Sequence, residues 1–387
     1  MVPFRYVVIA LIVCSMMYFW ARACRKTRIR DQMIYEVSRT EKTHPEDNFN
    51  TIFVAIPCYR DEYACAETLF SLFNEASCPW RLRVAVMHHV HPAENHYAMN
   101  IQNLYEHVVL RHNATSFQSQ IKIVVEEIST ATGPWDARKA ILNLFQNERF
   151  VLFVNSNCKF VRNWDSVALD QYTQSLAMSP RPILTTCPSI VNVEDTLESL
   201  PTYPVVDSKG ELSIAVYLQV PVRPFLTFVF VPTFAFASSR LLSEHPFDLP
   251  LSYISNKNGT MLASARLFTY GWDFYTPTVP MCYQTKSSKF KLYNDRPETR
   301  NKHDSELIKI NGLLNKYQCR ICEELIETHD EFSGHTFESW SANNIFGSAR
   351  TLEHYLKYAE RGYLGITSEV SAEEQIAKYD SVKYARL

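Results

Sequence analysis

The feature that most constrains this chain is the stretch Arg149 to Asp165, RFVLFVNSNCKFVRNWD. Its apolar run from Phe150 to Val154 is rich in Val and Phe, and such a run reads as a strand covered on both faces. The run stops abruptly at Asn155-Ser156-Asn157, and a helix is expected to begin near Trp164-Asp165. In open sheets covered on both sides, ligands bind outside the C-terminal ends of the central strands. The Asn-Ser-Asn turn is therefore where a site is expected.

The surrounding chain supplies the rest of such a sheet. TIFVAIP (51–57) reads as a strand, followed by an amphipathic helix through Thr68, Leu69, Leu72 and Phe73. RLRVAVMHHV (81–90) is the next strand, then a helix near 98–110 and the strand IKIVVEEI (121–128). A helix over 133–146 leads into the central strand, and a helix over 164–178 and the strand PILTTCP (182–188) follow it. This alternation predicts a mostly parallel, doubly wound α/β sheet. Residues 211–240 read as β-rich, a helix is expected around 261–270, and the tail beyond about 290 is helical and more polar. The aromatic stretch FLTFVFVPTFAF (225–236) reads as β-core; Pro232 and its length argue against a membrane span.

Composition excludes several functions. With nine glycines in 387 residues, the chain has no GxGxxG and no GxxxxGK phosphate loop, which counts against a dinucleotide dehydrogenase or a P-loop NTPase. Six of the 39 basic residues lie before residue 31, ahead of every acidic one. The remaining 33 face 41 acidic residues, a balance of −8 that disfavours nucleic acid as a partner. The ten cysteines form no dense disulfide framework.

Residues 6–21, YVVIALIVCSMMYFWA, form an apolar run flanked by Arg22, Arg25, Lys26, Arg28 and Arg30. An uncleaved N-terminal membrane anchor with a basic flank (1–30) and a polar stalk (31–50) is the expectation, giving a single-pass protein of the endomembrane system. The basic flank points the body to the cytosol. The sequons Asn113-Ala114-Thr115 and Asn258-Gly259-Thr260 point it to the lumen, so sidedness stays open.

Several segments, in order, resemble the glycosyltransferase family typified by enzymes that attach N-acetylglucosamine to hydroxyproline of Skp1. IFVAIPCYRDEYACAETLFSLFNEASCPWRLRVAV is similar to that family's opening strand, its Ser-Tyr-Arg-Asp turn and its second strand. GPWDAR (133–138) resembles its Gly-Pro-x-x-Ala-Arg helix start, and FVNSNCKFVRNWD its Asp-Ser-His stretch. ILTTCP, ARLFTYGWDFYTP and GSARTLEHYLKYA (347–359) match later landmarks. The resemblance covers roughly residues 50–360. It implies a GT-A fold over 51–290 with a helical extension over 291–387. It also implies a UDP-N-acetylglucosamine donor, Mn²⁺ or Mg²⁺, and a protein hydroxyl as acceptor.

The departures fall on the chemistry. The family's metal-binding Asp and His correspond to Asn155 and Asn157, a later His to Gln284, and an acidic pair to Gly259 and Thr260. A metal bridging two phosphates needs anionic oxygens or a neutral imidazole, and an amide carbonyl gives up most of that attraction. Metal-dependent transfer is therefore doubtful on the sequence. By the same resemblance Arg60, Asp61, Arg138, Asn155 and Asn157 are the nucleotide-sugar-binding candidates, and Asp273 in the GWD turn is a weak catalytic candidate. Three of these have a bland alternative: a capping Asp61 beside a solvated Arg60, and an Arg138 salt bridge to a nearby acid. His88 and His89 are expected as solvated strand-end residues, and Asp165 as an N-cap. Cys319, Cys322, His329 and His335 are spaced too closely for the usual zinc module, and a cysteine pair on one helix with two surface histidines is the preferred reading. Two functions stand: a membrane-anchored N-acetylglucosaminyltransferase with altered metal chemistry, or a catalytically inactive GT-A-fold protein with a binding or structural role.

Overall fold

The structure is a computed structural model. It describes residues 50–91, 100–191, 202–206, 212–216, 221–244, 256–285 and 345–364. The described residues belong to one unit, Glu46–Leu387; a second unit, Met1–Pro45, lies outside them, as do Cys319, Cys322, His329 and His335.

The chain opens with β1 (Ile52–Tyr59), α1 (Glu62–Asn74), β2 (Leu82–Val90), α2 (Ile101–Arg111), β3 (Ile121–Glu127) and α3 (Pro134–Ile141). The centre comprises β4 (Phe150–Val154), β5 (Cys158–Phe160), α4 (Trp164–Leu176), β6 (Pro182–Thr185) and β7 (Ile190–Val191). Then come β8 (Thr202–Val206), β9 (Leu212–Val216), β10 (Phe225–Thr227), β11 (Phe234–Ser238) and α5 (Asn256–Thr269). β12 (Asp273–Thr276), β13 (Cys282–Thr285) and α6 (Leu352–Leu364) complete it.

Eight strands form the main sheet in the order β10-β12-β6-β11-β4-β1-β2-β3. β1 runs parallel to β2 and β4, and β2 parallel to β3; β11 is antiparallel to both β4 and β6. Every residue of β4 is buried, because the sheet carries packed side chains on both faces. Apolar spacing does the same for the helices. In α1, Cys65, Ala66, Leu69, Leu72 and Phe73 are buried at intervals of three and four, the period of one helix face. Three aromatics from the β-rich stretch, Phe230, Phe234 and Phe236, are fully buried in the core.

Strand order reverses between β1 and β4. The chain winds outward from β1 through β2 to β3, then returns to β4 on the other side of β1. Such a reversal leaves a crevice at the C-terminal edge, which is the ligand position of doubly wound folds. Three shorter strands, β5-β13-β7, stand beside this edge, with Gln284 opposite Cys158 in the β5–β13 register.

The described helix of the tail is short. α6 packs on α5, with Phe268 stacked on Tyr358 at 5.6 Å and Tyr358 Oη donating to the Thr227 carbonyl at 2.9 Å. Thr260 of the second sequon is 2% exposed inside α5. One expectation changes here. Among the described residues no helix is long and apolar enough to cross a membrane. That finding corrects the expectation of a single-pass anchored protein and its endomembrane placement; the run 6–21 itself lies outside the described residues.

Candidate functional site

The end of β1 is held in an unusual backbone. Arg60 sits at φ 58°, in the left-handed region, where a side chain costs about 1–2 kcal/mol. Its amide donates to the carbonyl of His89 at 3.0 Å, tying the turn to the end of β2. Strained residues persist where their surroundings over-determine them, commonly at ligand sites. Asp61 occupies the N-cap position of α1 but makes no side-chain capping hydrogen bond. The bland alternative, a capping Asp61, is therefore not taken up.

His88 and His89 are not solvated: they are 4% and 3% exposed. His88 Nε2 lies 3.1 Å from Glu62 Oε1, and His89 Nε2 lies 3.6 Å from Glu126 Oε2. The bond from His88 holds the Glu62 carboxyl below its ordinary range, against burial, which acts the other way. These pairs brace the rim beneath Arg60 and Asp61.

The second wall is the turn after β4. Two hydroxyls of α1 shape it: Thr68 Oγ1 donates to the Ser156 carbonyl at 2.7 Å and accepts from the Cys158 amide at 2.9 Å. Ser71 Oγ accepts from the Phe160 amide at 3.2 Å. Sequence reasoning placed Thr68 on the apolar face of its helix. Its polarity at a buried position was the available signal, since buried hydroxyls need partners. On the far side, Asn157 Nδ2 donates to the Thr285 carbonyl at 2.8 Å, and the Thr285 amide donates to the Asn157 carbonyl at 2.9 Å. The structure thus draws together the Asn155–Asn157 turn and the strand bearing Gln284.

Arg138 comes from α3, whose first turn begins with Pro134, a residue that suits this position because its missing N–H is not needed there. The side chain is fully buried. One guanidinium nitrogen donates to the Pro134 carbonyl at 3.2 Å and the other to Asn155 Oδ1 at 3.1 Å. Its carbon also lies 5.9 Å from the Trp135 ring centroid. Arg138 and Asn155, 17 positions apart in sequence, meet at the switch point of the sheet.

A divalent ion fits this arrangement poorly. Asn155, Asn157 and Gln284 are neutral, and the Asn155 carbonyl already accepts from a guanidinium. An ion ligated by that oxygen would stand about 5 Å from Arg138, a repulsion of about 7 kcal/mol at an effective dielectric near 20, before any anion joined it. Among the described residues no group of three or more His, Cys, Asp or Glu side chains is placed to hold a metal. The position of the family's acidic pair is filled differently: Gly259 packs against the Trp135 indole, and Thr260 is buried.

Asp273 leaves the site, and Asp165 does not take the cap expected of it. Asp273 begins β12 and pairs in register with Pro182 at the start of β6, so it lies on the opposite sheet edge from Asn155. It accepts from Ser179 Oγ at 2.5 Å and pairs with Arg350 at 2.9 Å. This corrects the catalytic assignment: Asp273 fastens the segment before α6. Asp165 is fully buried and accepts from the amides of Ser77 (2.7 Å) and Cys78 (3.0 Å), with Arg81 Nε at 3.5 Å. The N-cap of α4 is Asn163, at φ 59°, rather than Asp165.

The family model described as "Glycosyltransferase (GlcNAc)" matches residues 51–109 and 89–363. Among solved structures, GalNAc-T7 with UDP, GalNAc and Mn²⁺ superposes with a TM-score of 0.57 at 10% identity, covering 81% of this chain and 58% of that one. This chain therefore spans 58% of the GalNAc-T7 chain, and the likeness establishes the fold, a GT-A glycosyltransferase fold. Residues 1–349 of S. aureus TarS in complex with UDP-GlcNAc give 0.44 at 14% identity, covering 86% of this chain and 79% of that one. No curated protein matches the chain at the sequence level.

Proposed function

We propose, since this chain belongs to the glycosyltransferase (GlcNAc) family, that the crevice between the ends of β1 and β4 takes a UDP-N-acetylglucosamine donor. The observation that carries this reading is the delivery of the Arg138 guanidinium to Asn155 at the switch point of the sheet, 3.1 Å apart. Diphosphate binding needs positive charge and N–H donors at that edge, and this contact supplies both. Arg60 and Asp61 serve the uridine end, and Asn155, Arg138 and Asn157 the diphosphate end. In transfer, a hydroxyl oxygen of the acceptor bonds to the anomeric carbon as the bond to the β-phosphate oxygen breaks, and the hydroxyl's proton passes to the departing diphosphate. The UDP so released carries the charge that these donors face. The acceptor class is a protein hydroxyl, hydroxyproline of an Skp1-like protein being the finest version of the reading.

The neutral side chains at Asn155, Asn157 and Gln284 favour a second reading, a donor-binding protein without turnover. Release of UDP from UDP-N-acetylglucosamine, measured with the full chain and hydroxyl-bearing acceptor peptides, separates the two. Acceptor-dependent release establishes the transferase; saturable donor binding without release establishes the binding protein. Absence of donor binding would sink both.

A further inference from the structure

In a metal-bridged diphosphate site, the protein presents oxygen ligands to the ion and the ion faces the phosphates. Here the polarity is reversed at the central position. An arginine side chain carries only donors, so the contact at 3.1 Å fixes the Asn155 carboxamide with its oxygen toward Arg138. Its NH₂ group then points the other way. That nitrogen has no hydrogen-bond partner among the described residues, and Asn155 is half-buried rather than sealed in the core. The turn that carries it is held from both sides, by Thr68 on the Ser156 carbonyl and by Thr285 on the Asn157 carbonyl. The donor is therefore pre-positioned, and its cation lies directly behind it.

We infer that this crevice binds the diphosphate of a nucleoside diphosphate directly, without a divalent ion, through the amide N–H donors of Asn155 oriented and polarised by Arg138. The inference rests on the donor-site reading above and specifies how that site works. Asn155 is a position where a carboxylate would attract a metal and repel phosphate; the neutral amide gives up most of the attraction for a metal, and its N–H groups attract phosphate. Arg138 adds its charge through Asn155 rather than by contact, being fully buried itself.

The test is calorimetric titration of the full chain with UDP and with uridine, each in excess EDTA and again with Mn²⁺. The expected result is UDP affinity in EDTA within about threefold of that in Mn²⁺, and at least tenfold above that of uridine. Asn155→Asp should lower UDP affinity in EDTA at least tenfold and leave uridine binding unchanged. Loss of UDP affinity by tenfold or more on moving wild-type protein from Mn²⁺ to EDTA overturns the inference while leaving the donor-site reading intact. That comparison needs no variant and so does not depend on whether Asn155→Asp folds. Binding of neither uridine nor UDP in either buffer overturns the donor-site reading, and the inference with it.

Discussion

Gly259 and Trp135 touch so closely that a Cβ on Gly259 would fall 2.1 Å from the indole Nε1. The residue is glycine because the indole occupies the space a side chain would need. Gly259→Ala should therefore destabilise the fold by about 1–3 kcal/mol, the usual range for overpacking. Trp135→Leu made in the same chain should reduce the cost of Gly259→Ala, giving a coupling energy in a double-mutant cycle followed by urea unfolding. Strict additivity would mean that the two side chains do not compete for this volume.

Asp165 offers a prediction of the opposite kind, a buried carboxylate with no part in binding. It satisfies the Ser77 and Cys78 amides and lies beside Arg81, which is 2% exposed. Asp165→Ala leaves those donors buried without their acceptor, which costs about 3–5 kcal/mol where a buried ion pair is broken. Thermal unfolding should show that loss, with UDP affinity unchanged at temperatures where the variant is folded. A selective loss of binding would place Asp165 in the site.

The Asp273–Arg350 pair fastens the segment ahead of α6 to the start of β12. Arg350→Ala should raise the rate of proteolysis in the chain around residues 345–364 and lower stability by about 1–3 kcal/mol, the scale of a lost charged hydrogen bond. Donor binding should stay within twofold of wild type. Should Asp273→Asn instead abolish binding at full stability, the assignment of this acid to the fold would be wrong.

Acid should act through Glu62. Its carboxyl is held below its ordinary value of 4.5, chiefly by the hydrogen bond from His88. A depressed carboxyl contributes stability that is complete above about pH 4.5 and is lost as pH falls through the folded-state value. Glu62→Gln should be less stable than wild type at pH 7, by about 1–3 kcal/mol. The gap should narrow as pH falls below 4.5, when wild type loses the contribution that the variant never had. Parallel stability curves across that range would remove Glu62 from the acid response.

The sites show why some readings survived and others did not. The turn at Asn155-Ser156-Asn157 was legible because an apolar strand run ending in polar residues marks a sheet edge from local pattern alone. Asp165 reads locally as a helix-start acid, yet its partners lie 87 and 88 residues away. Asp273 follows the same rule: its GWD turn is visible, but which edge of the sheet it occupies depends on pairing with β6. His88 and His89 end a strand, a place usually wet, and only the arrival of Glu62 and Glu126 made burial tolerable.

By itself the sequence determined the alternation of strands and helices, the buried central strand, the polar turn at its end and the neutral residues where metal ligands were expected. Those are properties of spacing and side-chain chemistry, which act over a few residues. Only the tertiary structure decided that Arg138 faces the Asn155 carbonyl, that Trp135 fills the space beside Gly259, and that Asp273 sits at the far edge. Each depends on strand order and on which side chains share one small volume. Close packing and the pairing of buried polar groups settle such questions, and neither is written in any short stretch of the chain.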